Sequence, residues 1–287
     1  MINIPLKTFN ENSEKQVVLK QQSPPFSYIK QYESLPRDPI LNRKLKSITF
    51  GSERIDKYLQ IEEGINLFYG NSNTGKTNSC LTLAFNALEN DFNVLYYDLE
   101  RGVHPKRLLQ MYEAREKPFS YDKLYDCFVT PKKLEWKEVI NDLERIVVFE
   151  KPDLLVLDAF SPIFLKAFFT SDKTRWRVTN ERELLVLDTL QRACDNHMII
   201  IIVAHAKNVS PIVFEDEKEA NNIIVEPEFS GIGNRFRFLG KLWLYFCKHV
   251  IKDNLYRYML IMKHKHEEDY YSSKIKIPFR ITDRGVE

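Results

Sequence analysis

Gly70-Asn71-Ser72-Asn73-Thr74-Gly75-Lys76-Thr77 decides how this chain is read. The octet fits the phosphate-loop pattern G-x-x-x-x-G-K-[ST]. Its surroundings fit as well. The apolar run Ile65-Asn66-Leu67-Phe68-Tyr69 leads in as a buried strand, and Asn78 to Leu88 leads out as a helix. A loop held between strand and helix aims backbone N–H groups at an anion, and the helix N-terminus adds the positive end of its dipole. Gly70, Asn71, Ser72, Asn73, Thr74, Gly75, Lys76, Thr77 and Asn78 are therefore the expected nucleotide contacts. Lys76 would reach the β- and γ-phosphates of ATP, and the Thr77 hydroxyl would ligate Mg2+.

The rest of the chain supplies an α/β frame for that loop. Further strand-like runs, Val94–Tyr97, Leu154–Leu157 and Ile199–Val203, are short, apolar on both faces and rich in Ile, Val and Leu. Parallel strands buried between helices have that character. Helical patterns fall between them, at 77–89, about 104–115, about 134–149 and about 180–196. The last carries Leu184, Leu187, Leu190 and Ala193 as one apolar stripe. Beyond residue 238 come three runs with short connections, Gly240–Lys248, Tyr256–Lys263 and Lys274–Ile281, with Asp253-Asn254 read as a hairpin turn. The expected fold is a mostly parallel twisted sheet with helices on both faces and antiparallel C-terminal edge strands. Residues 1–45, with Ser23-Pro24-Pro25-Phe26 and little periodicity, read as an arm or linker ahead of a domain over 46–287.

Bulk properties narrow the function classes. The chain has 287 residues, enough for one large α/β domain or two small ones. A net charge of +2 gives no global electrostatic case for nucleic acid, so any such site must be local. The cysteines Cys80, Cys127, Cys194 and Cys247 are far apart with no C-x-x-C pair, which argues for buried thiols and against zinc. The longest apolar run, Met198–Ala204, is too short to span a bilayer. These features read as a soluble, cytoplasmic protein without a membrane partner.

Two strand ends offer the chemistry. Tyr96-Tyr97-Asp98-Leu99-Glu100 closes the second strand, and Glu100 is placed to polarise a water for attack on the γ-phosphate. Asp98 competes for that role, with strand alternation expected to send one of the two away from the pocket. Leu154-Leu155-Val156-Leu157-Asp158 ends in the carboxylate expected on the magnesium side. The fourth strand ends at Ala204-His205-Ala206, where His205 could sense the γ-phosphate or be a histidine with no role.

With these pieces in order, the chain resembles the RecA/RadA recombinase ATPases, and within them archaeal RadA paralogues without an N-terminal helical DNA-binding domain. The resemblance covers about residues 47–287. It rests on Thr49-Phe50-Gly51-Ser52 and Ile55-Asp56-Lys57-Tyr58-Leu59, then YGNSNTGKT, YYDLERGVHPKRL and LLVLDAFSPIF, and finally Phe279 to Glu287 as a closing strand. It implies a RecA-like core and Glu100 as catalytic base, with His104 to Arg107 near the adenine, Arg107 among the nucleotide contacts. It further implies that Lys263 and Lys265 match a lysine pair reaching a neighbouring subunit's γ-phosphate. The implied activity is that of an ATP-hydrolysing accessory factor in homologous recombination and DNA repair. A second copy or a RadA-type recombinase would be its partner, and single-stranded DNA a possible ligand. The chain departs from archaeal RadA in having His205-Ala206 where that family has Asn-Gln. The loop that follows, residues 206–230, carries Glu215, Asp216, Glu217, Glu219, Glu226 and Glu228 against Lys207 and Lys218, which repels phosphate. Lys166 to Arg182 suits a DNA-facing loop better, with Lys173, Arg175, Trp176 and Arg177 interleaving charge and aromatic ring, the alternative being a solvated loop with one packed Trp. Three other readings share the core motifs: a KaiC-like regulatory ATPase without DNA, a ring helicase or replication ATPase, and a nucleotide-gated assembly subunit.

Overall fold

In the computed structural model of the protein, the described residues are 45–116, 119–132, 135–161, 172–206, 213–214, 234–251, 254–264 and 275–287. The expected arm over 1–45 lies outside them but for Leu45. Chain order begins with β1 (Ser47–Ile48), α1 (Glu53–Asp56), β2 (Ile61–Glu62), β3 (Gly64–Gly70) and α2 (Lys76–Glu89). Then come β4 (Val94–Asp98), α3 (Pro105–Ala114), α4 (Tyr121–Asp126), β5 (Phe128–Val129), α5 (Trp136–Arg145) and β6 (Leu154–Asp158). The remainder is α6 (Asp172–Asp195), β7 (Ile199–His205), β8 (Val213–Phe214), α7 (Asn234–Leu239), β9 (Leu242–Ile251), β10 (Asn254–His264), β11 (Lys276–Phe279), β12 (Ile281–Thr282) and β13 (Gly285–Val286).

The main sheet runs β11-β10-β9-β3-β7-β6-β4-β5, with β8 pairing β9 off that path. β3 is central: it pairs in parallel with β7 on one side and β9 on the other. β6 and β4 continue the parallel half, and β10 and β11 add antiparallel strands at the far edge. The fold is thus the expected one. Side chains alternate cleanly between two cores, as a period of two requires. Val94, Tyr96, Leu154, Val156, Ile199, Ile201 and Val203 join Cys80, Leu83 and Leu88 of α2 on one face. Leu95, Tyr97, Leu155, Leu157, Ile200 and Ile202 join Val139 and Leu143 of α5 and Leu190 of α6 on the other.

Four details differ from the sequence reading. The segment Lys166 to Arg182 is not all loop, because α6 begins at Asp172 and runs unbroken to Asp195. Leu184 is exposed while Leu187, Leu190 and Ala193 are buried. A strict spacing of three drifts roughly 60° around a helix at each step, so the first and last of the four cannot share a face. The helix expected over 134–149 is α5 followed by a π-helical turn, Ile146–Glu150, closed by Lys151 in a left-handed conformation. Asn254 pairs with Ile251, so it belongs to β10 and not to the hairpin turn.

Candidate nucleotide-binding site

The join between β3 and α2 is fixed by close packing. A Cβ on Gly70 would lie 2.2 Å from the Phe246 carbonyl oxygen of β9, so only glycine lets the two strands meet there. Gly75 N-caps α2 with φ 109°, a left-handed conformation that suits glycine. Lys76, the first residue of α2, is buried and donates from Nζ to the Gly70 carbonyl at 2.8 Å and the Asn71 carbonyl at 2.7 Å. Burial lowers its pKa to about 8, against the opposing pull of Asp158 and Glu100.

Strand parity brings the acids to the same face as α2. Asp98 follows Val94 and Tyr96, and Asp158 follows Leu154 and Val156. The two are partners in register, as are Gly70 and His205. The Asp158 carboxylate is buried, which raises its pKa, while hydrogen bonds from Tyr96 and Thr77 oppose that rise. The Tyr96 hydroxyl donates to Asp158 Oδ2 at 2.5 Å. The two expected magnesium-side residues, Thr77 and Asp158, are therefore in direct contact.

Asp98 and Glu100 are separated differently from the sequence expectation. Residues two apart share a strand face, so alternation cannot divide them. The strand itself stops at Asp98. The buried Asp98 carboxylate then accepts from the N–H groups of Gly102 at 2.9 Å and Val103 at 3.0 Å, and so holds the turn. Glu100 stands beyond the strand with an exposed side chain, and its Oε1 lies 2.7 Å from His205 Nε2. Of the two acids, Glu100 is the one whose carboxylate remains available for chemistry.

Arg107 donates to Asn78 Oδ1 at 2.9 Å, to Gln110 Oε1 at 2.8 Å and to the Thr282 carbonyl at 2.6 Å, which ties α3 to the start of α2 and to the β12–β13 hairpin. Lys263 sits elsewhere. It pairs with Trp243, which is level with Leu67 and three residues short of the Phe246–Gly70 pair, and its ammonium lies 5.0 Å over the Trp243 ring. That is about 10 Å along the strand from the loop of the same chain. Lys265 lies outside the described residues. So do the acidic segment from Lys207 onward, apart from the backbone of β8, and the side chains of Lys173, Arg175, Trp176 and Arg177, whose backbone belongs to α6.

Tyr96 and Ser161 were missed in the sequence reading. A buried phenol requires an acceptor, and Tyr96 pairs with Val156, so Asp158 is its diagonal neighbour. The need for an acceptor is legible in the sequence, but its identity waits on that register. Ser161 Oγ accepts the His205 N–H at 2.9 Å, a loop contact with no periodic signature.

The arrangement suits a polyphosphate with a hard divalent cation. It offers backbone N–H groups at a helix N-terminus, one ammonium, and a hydroxyl beside a carboxylate. Mg2+ needs only one or two carboxylates with water, and among the described residues no group of three or more His, Cys, Asp or Glu forms a denser cage. Also among them, no helix is long and apolar enough to cross a membrane.

Comparison with known proteins agrees with this frame. No protein-family model matches the chain. The DNA repair and recombination protein RadB of Archaeoglobus fulgidus is 27% identical over 248 residues, covering 84% of this chain and 97% of that protein. RadB of Methanococcus maripaludis strain C5 is 25% identical over 226 residues, 78% and 90% of the two chains. RadB of Pyrococcus abyssi is 31% identical over 163 residues, 54% and 66%. A crystal structure of the RadB recombinase superposes with a TM-score of 0.57 at 20% identity, over 84% of this chain and 98% of that one, which shows the shared fold. In sequence and fold together the chain is RadA-like, similar to the RadB recombination proteins.

Proposed function

We propose that this chain binds ATP with Mg2+ at Gly70–Asn78, hydrolyses it, and acts as an accessory factor in homologous recombination and DNA repair. The observation that carries the reading is the convergence at one sheet edge of the Lys76 ammonium, the Thr77–Asp158 pair and the accessible Glu100 carboxylate. Thr77 and Asp158 would hold the Mg2+ ion, which neutralises phosphate charge when bound. Lys76 would exchange its two carbonyl acceptors for phosphate oxygens. Glu100 would accept the proton of the attacking water. Arg107 would border the base. The accessory role is supported by relatives named as DNA repair and recombination proteins. A second copy, or a RadA-type recombinase, would close the open side of the site with Lys263 and Lys265. Lys173, Arg175, Trp176 and Arg177 are the candidates for single-stranded DNA.

The test is the ATP hydrolysis rate with and without single-stranded DNA at two salt concentrations, with Lys76→Ala alongside. Hydrolysis that Lys76→Ala abolishes and DNA stimulates is expected. Unchanged turnover in Lys76→Ala would overturn the site, and indifference to DNA at both salts would favour a KaiC-like regulatory ATPase.

A further inference from the structure

The backbone carrying Glu100 is pinned by its neighbours, and its side chain reaches out to His205. Leu99 N–H donates to the Asp158 carbonyl at 2.6 Å, and the Asp98 carboxylate holds Gly102 and Val103. Arg101 takes a left-handed φ of 56° and its guanidinium reaches the Pro131 and Lys132 carbonyls, each at 3.3 Å. The turn from 99 to 103 therefore has a fixed path. The Glu100 side chain is one-third exposed at the mouth of the site. A glutamate there has three rotors and an open side toward solvent, so without a partner it would spread over several rotamers.

The partner is His205, at 2.7 Å, and it stands on a fixed post. Its own N–H donates to Ser161 Oγ at 2.9 Å, and the next N–H, of Ala206, donates to the Gly70 carbonyl at 3.1 Å. The end of β7 is thus stitched to the loop after β6 and to the first residue of the phosphate loop. His205 places an imidazole nitrogen where those two stitches dictate, and Glu100 Oε1 meets it.

We propose that His205 is a positioning residue for the candidate base. Nε2–H donates to Oε1 and fixes the carboxylate, and the lone pairs of Oε2 take the proton of the water. The bond needs only a hydrogen on Nε2, which the Nε2–H tautomer and the imidazolium both supply, so the imidazole orients the carboxylate without taking part in the proton transfer. Among the described residues, Glu100 interacts electrostatically with Lys76 of α2 and Asp158 of β6, so the pair sits among charges of both signs. This inference rests on Glu100 being the base, and the experiments keep the two apart.

Hydrolysis kinetics on the full chain would be measured for four variants. His205→Ala is expected to lower kcat about tenfold with KM for ATP within about twofold, as loss of orientation without loss of binding should. His205→Gln, whose amide can donate from a similar reach, should recover most of the rate. In a Glu100→Gln background, adding His205→Ala should cost nothing further, because a residue that acts through Glu100 has nothing left to position. In the nucleotide-free protein, 15N histidine NMR should show the His205 ring protonated on Nε2, with a signal that moves in Glu100→Ala. An unchanged or increased kcat in His205→Ala would overturn the proposal. So would an equal further loss in the Glu100→Gln background, since His205 would then act directly on the phosphate. Failure of Glu100→Gln itself to slow hydrolysis would instead refute the parent assignment.

Discussion

In the parallel half of the sheet, β3, β4, β6 and β7 all stop along one edge, and their last residues are Gly70, Asp98, Asp158 and His205. In the antiparallel half, β9 and β10 end at opposite edges, and their polar side chains settle on aromatic rings along the strands. Lys263 lies over Trp243, Lys276 lies 3.9 Å over the Tyr258 ring, and His249 packs 5.4 Å from the same ring. Strand direction accounts for the contrast. Parallel strands pool the groups at their C-terminal ends, where they can act on one ligand, whereas alternating strands disperse them. Polar residues in the first half should therefore act together on one ligand, and those in the second half mainly on local stability.

The largest expected effect is at the seam between the halves. Gly70→Ala would drive a Cβ into the Phe246 carbonyl and should cost about 3 kcal/mol or more of stability, together with nucleotide binding. Gly102→Ala, with nothing within 4 Å of the added Cβ, should stay within about 0.5 kcal/mol. Denaturant midpoints compare the two, and equal losses would mean that the seam is not the sensitive join. Next in size is the separation of Glu100 from Asp98. Glu100→Gln should slow hydrolysis about a hundredfold with ATP binding intact. Asp98→Asn, which disturbs the turn over 99–103, should lower stability by about 1–3 kcal/mol before anything else. If Asp98→Asn abolishes turnover in a protein of undiminished stability, the two roles must be exchanged.

How far the sequence reached follows from the same contrast. Apolar runs with both faces buried marked β3, β4, β6 and β7, and an octet of fixed spacing marked the loop. Both signals are local. Polar residues that bond across strand ends are not. Tyr96 to Asp158 and Glu100 to His205 span separations of 62 and 105 residues, and only the register reveals them. The N-terminal part of α6 read as loop because Asp172 to Asn180 is dominated by charged and polar residues, with only Trp176 and Val178 as apolar members. The division of Asp98 from Glu100 depended on where a strand stops, which periodicity does not report.

Two smaller effects belong to the antiparallel half. Burial, with Lys276 nearby, holds the His249 pKa down at about 4, so the unfolded chain binds the extra proton first as pH falls. Stability should accordingly decline from about pH 6.5 toward pH 4, and His249→Gln should flatten that slope, by about 2 kcal/mol at most across the window. Urea midpoints at pH 7, 5.5 and 4.5 read it, and a slope unaltered by the substitution would remove His249 as its source. Lys263→Ala should cost the monomer only about 0.5–1 kcal/mol for the lost contact with Trp243. If hydrolysis at high protein concentration falls far more than that, Lys263 serves a neighbouring subunit; equal turnover at all dilutions would confine it to the Trp243 contact.

The helix behind the phosphate loop is completed late. Val286 N–H donates to Thr82 Oγ1 of α2 at 2.9 Å across 204 residues of sequence, and Arg107 and Arg115 reach the carbonyls of Thr282 and Arg284 across 175 and 169. A ribosome would make the loop about two hundred residues before its capping hairpin. Until then α2 has no cover from β12 and β13, and until residues 199–251 are made central β3 also lacks β7 and β9. Contacts this distant in sequence slow folding, because the chain between them must be ordered before they form. A nascent chain of this protein would therefore carry an unfinished candidate site until that hairpin arrives, and a ligand of the site could favour the folded state only after it.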